Sequence, residues 1–161
     1  MIMKLKQPIK LVLSFLFVFL AAAFGSIFTS SSVTTWYATL IKPFFAPPNW
    51  LFGPVWTTLY ILMAISLYLV WVKGYDKKKN KEAIDAFIIQ LTLNASWSFA
   101  FFGLKSPLLG MINIIVLWFA ITTTMLKFTR ISKNAFYLLV PYIVWVSIAS
   151  ILNFSILIFN I

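Results

Sequence analysis

Uncharged polar and aromatic side chains recur at helical spacing in three segments of the chain. The three stripes are Trp56 with Tyr60; Gln90, Asn94 and Trp97; and Tyr142, Trp145, Ala149 and Asn153. Members of a stripe are three or four residues apart, so each stripe lies on one face of a helix. An amide facing an apolar surrounding without a hydrogen-bond partner is costly, so we expect these faces to turn inward.

Two interpretations of the stripes remain open at this point. The amides and hydroxyls can hydrogen-bond between helices, which stabilises bundles in membranes by about 1 kcal/mol per contact. Alternatively, aromatic walls with a few orienting amides can enclose a large, flat, mostly apolar ligand. In that case Ala149 leaves room that a larger residue would fill. From residue types alone, hydrogen bonding between helices is the preferred interpretation.

Conventional catalysis has few residues to use in this chain. The sequence contains neither Cys nor His, which excludes thiolate metal sites, cysteine nucleophiles and the usual general base. No metal site is therefore expected. No charged residue lies near the middle of a long apolar run, although ion-coupled transporters usually need one there. Asp85 comes closest, and we interpret it as structural, near the start of a helix.

The composition places the chain in a membrane. The sequence is 62% hydrophobic and only 10% charged, whereas about a quarter of an average soluble domain is charged. The net charge of +10 could suggest nucleic-acid binding. However, the 13 Lys and Arg residues form short clusters between apolar runs, as in the flanks of membrane helices. We expect lipid to be the surrounding solvent and no nucleic acid to be a partner.

The pattern predicts an all-α membrane protein, a five-transmembrane-helix bundle forming a single domain over residues 1–161. The predicted helices are 9–28, 50–72, 83–104, 108–128 and 135–159. Each run can cross a hydrocarbon core of about 30 Å at about 1.5 Å per residue. The first run resembles a signal peptide, but it exceeds the usual apolar length of about 7–15 residues, so we expect it to be retained. Its small residues Ala22, Gly25 and Ser26 suit close helix packing.

Residues 29–49 are predicted to form a long loop on the external face. Pro43, Pro47 and Pro48 make a regular helix unlikely throughout the loop, yet it is rich in aromatic residues. Those aromatics indicate either an interfacial belt or a lid packed over something. The residues 73–81 are predicted to be a charged connector.

The distribution of basic residues predicts the orientation. One side of the membrane receives Lys4, Lys6, Lys10, Lys73, Lys77, Lys78, Lys79, Lys81, Lys127, Arg130 and Lys133. The other side receives only Lys42 and Lys105. Because positive loops stay in the cytoplasm, this asymmetry predicts a cytoplasmic N-terminus and an external C-terminus.

Several short motifs, in order along nearly the whole chain, resemble the TspO/MBR family of tryptophan-rich sensory proteins and translocator proteins. The motifs are Trp36-Tyr37-x-x-Leu40-x-Lys42-Pro43, Pro47-Pro48-x-Trp50, Gly53-Pro54-Val55-Trp56-Thr57-x-Leu59-Tyr60, Gln90-Leu91-x-Leu93-Asn94-x-x-Trp97-Ser98, and Pro141-Tyr142-x-x-Trp145 with Ala149. One loop position departs from the pattern, since Phe45 stands where many members carry a second Trp.

The resemblance implies a ligand cavity beneath the loop between the first two helices, and a homodimer in contact with membrane lipid. The implied ligand is a tetrapyrrole such as protoporphyrin IX, with no obligatory cofactor. Carried over by position, the ligand-binding residues are Trp36, Trp50, Trp56, Tyr60, Gln90, Asn94, Trp97, Tyr142, Trp145 and Ala149. The absence of His and Cys fits a metal-free porphyrin, since no strong axial ligand is present.

The resemblance leaves three functions open. The first is a tetrapyrrole-binding sensor or regulator in a prokaryotic cell membrane. The second is an enzyme that degrades porphyrin with light and oxygen, in which Trp56 and Trp145 would be the catalytic residues. The third is an uncoupled transporter of porphyrins or lipids.

Overall fold

A computed structural model describes residues 7–161, and within that range five helices are long and apolar enough to cross a membrane. Large apolar side chains cover much of their outward faces. Val12 and Phe119, for example, are exposed on α1 (Gln7–Ser32) and α5 (Pro107–Thr129). Such large apolar surfaces are stable only against lipid, which confirms the predicted all-α, five-span membrane fold.

Seven helical segments follow one another along the described chain. They are α1 (Gln7–Ser32), α2 (Trp36–Thr39), α3 (Asn49–Trp71), α4 (Lys78–Ser98), a π-helical turn (Phe99–Gly103), α5 (Pro107–Thr129) and α6 (Lys133–Phe159). The π-helical turn continues α4, so α1, α3, α4 with its turn, α5 and α6 are the five spans.

Serine caps start the last two spans. The hydroxyl of Ser106 accepts a hydrogen bond from the backbone N–H of Leu109 at 3.2 Å, and Pro107 occupies the first helical position. The hydroxyl of Ser132 accepts from the N–H of Ala135 at 3.3 Å. Both caps satisfy N–H groups that a helix start leaves without partners, which fixes where α5 and α6 begin.

The predicted boundaries were wrong in two places. The loop expected over residues 29–49 is partly helical, because α1 continues to Ser32 and α2 forms one short turn. The third span begins at Lys78 rather than at residue 83, so it takes up part of the predicted charged connector. Charged residues can occupy a helix that extends beyond the hydrocarbon into water, and hydrophobicity alone does not mark its start. Asp85 therefore lies about two turns into α4.

The spans pack into one bundle in which α5 contacts α4 and α6, while α3 contacts α1 and α6. Its core includes Met63, Phe87 and Leu117, all buried. At one end of the bundle the hydroxyl of Ser66 donates to the carbonyl of Ala135 at 2.7 Å, which ties α3 to the start of α6. Both groups are buried, so this bond satisfies them where water cannot.

The π-helical turn at the end of α4 places two adjacent phenylalanines inside the bundle. The N–H of Leu104 donates to the carbonyl of Phe99 at 2.8 Å, five residues earlier, which is the π-helical pattern. Phe101 and Phe102 are both buried and pack beneath α2. The π-helical turn therefore fills the end of the bundle beneath α2 with the rings of Phe101 and Phe102.

We predict opposite effects of alanine at two helical glycines. A Cβ at Gly110 would lie 2.7 Å from Phe101 Cδ2 and 2.8 Å from Asn153 Oδ1, whereas a Cβ at Gly53 would have nothing within 4 Å. Gly110→Ala should destabilise by about 1–3 kcal/mol through overpacking. Gly53→Ala should stabilise by up to about 1 kcal/mol through helix propensity. Thermal unfolding in detergent measures both, and equal stability of the two variants would contradict the packing.

Candidate functional site

A buried hydrogen-bonded cluster joins three of the spans. The hydroxyl of Tyr60 on α3 donates to Asn94 Oδ1 on α4 at 2.8 Å. The Nδ2 of Asn94 donates to the hydroxyl oxygen of Tyr142 on α6 at 2.9 Å. Asn94 and Tyr142 are buried, and Tyr60 is mostly so. The Asn94 amide thus has a partner on each side, and it fixes the spacing of α3, α4 and α6 at this depth.

The cluster also fixes the ring of Trp56. Trp56 stacks on Tyr60 with ring centroids 5.5 Å apart and planes inclined by 29°. It meets Tyr142 edge-on with centroids 6.3 Å apart. Because both tyrosines are held by Asn94, Trp56 presents a rigid aromatic surface to the space beside it.

The central cavity lies beneath α2, and its volume is about 30 Å³. It is lined by Tyr37, Phe52, Trp56, Trp97, Phe101, Phe102, Trp145, Ala149, Leu152, Asn153 and Ile156. A space of this volume holds a few water molecules at most. The central cavity in this conformation is therefore too small to admit a flat macrocycle.

Tyr37 of α2 closes the top of the central cavity. Its ring is 2% exposed and packs edge-on or tilted against Phe52, Phe101 and Phe102, with centroids 5.7–6.5 Å away. Burial raises the pKa of Tyr37 to about 12, because the apolar surroundings disfavour the charged phenolate. The segment of residues 33–46, here called the lid segment, places Tyr37 over the central cavity, as the lid interpretation of the aromatic loop expected, but it leaves Phe44 and Phe45 exposed, as the interfacial-belt interpretation expected.

The lateral chamber is a larger space of about 370 Å³ between α1, α3 and the end of α4. It is lined by Phe19, Ala22, Ala23, Gly25, Ser26, Thr29, Phe52, Gly53, Trp56, Thr57, Tyr60, Trp97, Ser98 and Phe102. This volume falls within the range of about 300–1,000 Å³ typical of small-molecule sites. Aromatic rings of α3 and α4 form one wall, and small residues of α1 form the opposite wall.

A third space, the α3–α6 groove, opens on the other side of α3 with a volume of about 420 Å³. It is apolar and runs past Pro54 on α3 and Pro141 on α6. Trp145 lines both this groove and the central cavity, and Trp56 lines both the central cavity and the lateral chamber. The three spaces therefore form a row separated by indole rings.

The structure brings five of the ten predicted ligand-binding residues to these three spaces. They are Trp56, Tyr60, Trp97, Trp145 and Ala149. Asn94 and Tyr142 instead hydrogen-bond to each other within the bundle, as expected from the preferred interpretation of the stripes, hydrogen bonding between helices. Trp36 packs on Phe101 with centroids 5.5 Å apart, beside the central cavity rather than in its lining.

Trp50 departs most from its predicted position. Its side chain is 72% exposed in the first turn of α3, and it lines none of the three spaces. An indole at the end of a span suits the membrane interface, where its apolar ring and polar N–H both find partners. In this conformation Trp50 is an interfacial residue and not part of the cavity wall.

Gln90 is buried beside the polar cluster without a partner of its own. Its side chain is 1% exposed, and within residues 7–161 neither its Oε1 nor its Nε2 meets a hydrogen-bonding group of the protein. It also lines none of the three spaces. A buried amide in this state costs stability, and among the described residues Gln90 is one of several side chains with a buried polar atom that lacks a hydrogen-bond partner.

Sequence reasoning missed the α1 side of the lateral chamber. Ala22, Ala23 and Ser26 line it, although small residues on a membrane helix also indicate close helix packing. Gly25 does show such packing, since a Cβ there would lie 3.1 Å from the Ser98 hydroxyl oxygen. The run of small side chains was visible in the sequence, but whether a neighbour or a space lies against it depends on the bundle geometry.

Comparison with known proteins decides the family. The model of the TspO/MBR family matches residues 14–159. The chain belongs to this family. The tryptophan-rich protein TspO of Chlorobaculum tepidum is 50% identical over 136 residues, covering 84% of this chain and 86% of that protein. The protein of the same name from Archaeoglobus fulgidus is 48% identical over 152 residues, covering 94% and 97%.

A more distant relative extends the family to animals. The human translocator protein is 34% identical over 133 residues, covering 82% of this chain and 79% of its own length. Family membership and the multi-pass membrane fold are thus confirmed. The tetrapyrrole ligand, the homodimer and the prokaryotic membrane stay predictions.

We predict that leucine has opposite effects at two neighbouring amides of α4. Asn94→Leu leaves the hydroxyls of Tyr60 and Tyr142 without their partner and should destabilise by about 1–3 kcal/mol. Gln90→Leu removes an amide without a partner and should raise the melting temperature in detergent. A loss of stability in Gln90→Leu as large as that in Asn94→Leu would contradict the difference between the two environments.

Proposed function

We propose that this TspO/MBR protein is a membrane receptor for a tetrapyrrole such as protoporphyrin IX and acts as a sensor or regulator. The observation that carries the proposal is the lateral chamber, which places Trp56 against a space of about 370 Å³ within the membrane-spanning part of the bundle. A flat apolar ligand that dissolves in lipid would bind there by stacking on the indole.

The two walls of the lateral chamber suit a flat molecule. Trp56, Tyr60 and Trp97 supply broad aromatic surface on one side. On the other side, Ala22 and Ala23 leave the width that a ring system needs. Trp56 is also held in place before the ligand arrives, which lowers the entropy lost on binding.

The mouth of the lateral chamber faces the membrane between α1 and α3. Ala23, Gly53 and Thr57 are exposed along this edge, and all three lie in predicted and observed spans. A ligand concentrated in the bilayer could therefore enter sideways, without passing the lid formed by α2. The names of relatives agree with this role only broadly, since they describe a sensory protein and a translocator protein.

We predict that filling the lateral chamber weakens porphyrin binding. Protoporphyrin IX should quench the tryptophan fluorescence of the wild-type protein saturably in detergent or lipid nanodiscs. Ala22→Phe places a ring in the chamber and should weaken this binding by about tenfold or more, equivalent to about 1.4 kcal/mol. Val116→Phe, which adds the same kind of ring to an exposed lipid-facing position on α5, is the matched control.

Two outcomes would contradict the proposed site. One is wild-type affinity in Ala22→Phe, and the other is an equal loss in Val116→Phe.

Illumination of the same complex separates binding from turnover. A new absorbing product that requires Trp56 would assign the porphyrin-degrading activity rather than binding alone.

We propose further that the basic end of the bundle faces the cytoplasm of a prokaryotic cell. Within residues 7–161 this end carries Lys10, Lys73, Lys77, Lys78, Lys79, Lys81, Lys127, Arg130 and Lys133. The opposite end carries Lys42 and Lys105. Lys4 and Lys6, which also contributed to the predicted orientation, lie outside the described residues. The asymmetry agrees with the positive-inside rule and would place the lid segment, residues 33–46 including α2, outside the cytoplasm.

The absence of cysteine makes this orientation directly testable. Phe44→Cys introduces a thiol at a fully exposed position of the lid segment, and Tyr75→Cys introduces one at the opposite, basic end. In spheroplasts of a bacterial host, an impermeant maleimide should label Phe44→Cys at once. It should label Tyr75→Cys only after the membrane is permeabilised, and the reverse pattern would refute the orientation.

A further inference from the structure

The C-terminal end of α6 is hydrogen-bonded to the chain between α2 and α3. The Oδ1 of Asn160 accepts from the N–H of Ile41 at 2.9 Å, and its Nδ2 donates to the carbonyl of Ile41 at 2.9 Å. The same Nδ2 donates to the carbonyl of Ile156 at 2.8 Å. One side-chain amide therefore satisfies both main-chain groups of a residue 119 positions away, as a neighbouring strand would.

Lys42, the residue after Ile41, connects this hydrogen-bonded segment to α2. The Nζ of Lys42 donates to the carbonyl of Tyr37 at 2.9 Å and to that of Leu40 at 3.1 Å. It also lies 4.8 Å from the centroid of the Tyr37 ring, in a cation–π contact. Asn160 holds Ile41, and Lys42 in turn holds the backbone and ring of Tyr37.

Within residues 7–161 the hydroxyl of Tyr37 makes no hydrogen bond that would retain the side chain in the bundle. Its hydroxyl oxygen is buried, and the described part of the chain offers it no hydrogen-bond partner. Its ring nevertheless fills the top of the central cavity against Phe101 and Phe102. Its position therefore depends on apolar packing and on the bonds to its own backbone and to the segment that follows it.

Removing Tyr37 would open the top of the central cavity, which lies next to the lateral chamber. The two spaces share Phe52, Trp56, Trp97 and Phe102 in their walls. Trp145 lines the central cavity, and its buried Nε1 also lacks a partner among the described residues. A ligand too large for the lateral chamber alone would reach this indole once Tyr37 had moved out.

We propose that Asn160 is the latch of the lid: its amide, through Ile41 and Lys42, keeps Tyr37 in the central cavity. Breaking the Asn160–Ile41 bonds frees the lid segment, residues 33–46, and opens the central cavity. The proposed latch rests only on the contacts of Asn160, Ile41, Lys42 and Tyr37 described above. Its effect on porphyrin entry rests on the proposed function.

The latch can be tested without any porphyrin, because the chain contains no cysteine. Ala149→Cys places a single thiol in the wall of the central cavity, where methyl methanethiosulfonate, a small neutral reagent, reports access. Adding Asn160→Ala should raise the rate of thiol modification by about tenfold or more, since local opening controls the reactivity of buried groups. Asn160→Asp keeps an acceptor for the N–H of Ile41 but loses the donor, so it should give an intermediate rate.

The matched control is Ser155→Ala, also on α6. The Ser155 hydroxyl donates only within its own helix, to the carbonyl of Ile151 at 2.9 Å, so its loss should leave the rate unchanged. Hydrogen exchange of residues 33–46 should accelerate in Asn160→Ala, while the exchange of α5 stays as in the parent protein. Equal thiol modification rates in the parent, Asn160→Ala and Ser155→Ala proteins would overturn the latch.

A second measurement addresses porphyrin entry. In the otherwise wild-type chain, Asn160→Ala should open the central cavity to a porphyrin already in the lateral chamber and raise the affinity for protoporphyrin IX several-fold. An unchanged affinity would overturn the control of entry into the central cavity by the latch. If the wild-type protein binds no porphyrin at all, the proposed function fails. The thiol modification rates would still decide whether Asn160 closes the central cavity.

Discussion

The bundle is organised around the amide of Asn94, which must find its hydrogen bonds inside the protein because lipid offers none. The hydroxyls of Tyr60 and Tyr142 meet that need at 2.8 Å and 2.9 Å. Since the three residues belong to three spans, satisfying one side chain also sets the spacing of α3, α4 and α6. Trp56 packs on both tyrosines, so the aromatic wall of the lateral chamber is a direct consequence of this polar contact.

The two initial interpretations of the polar stripes prove to be parts of one arrangement. Hydrogen bonding between helices uses Asn94, and ligand-sized space lies next to it, beyond Trp56. The space exists because α1 presents small side chains where α3 and α4 present large rings. Closure at the lid depends on a different contact, since Tyr37 fills the central cavity and the Asn160–Ile41 bonds hold the segment that follows it.

The spans were predictable because lipid imposes a simple requirement on length and apolarity, which each of the five runs meets. The start of α4 at Lys78 was not predictable in this way, because that turn extends into water, where charged residues are favourable. The stripes correctly indicated inward faces for Asn94 and Trp97, since a period of 3.6 residues is visible in sequence.

Which inward residues contact a space and which contact one another could not be read from the sequence. Gln90 and Asn94 have the same side-chain chemistry and lie one turn apart, yet only Asn94 meets two hydroxyls. Trp50 and Trp56 are likewise both tryptophans of α3, but only Trp56 faces into the bundle. These differences depend on how neighbouring helices are rotated and spaced, which is a property of tertiary packing.

The most direct test of the account is to locate the bound ligand by photo-crosslinking in lipid nanodiscs. A porphyrin bearing a diazirine would be activated by light, and the modified peptides would be identified by mass spectrometry. Binding in the lateral chamber should give adducts on α1 between Phe19 and Thr29 and on α3 around Trp56, which form the two walls of that chamber. Adducts confined to Val144 and Ile148, in the α3–α6 groove, would contradict it.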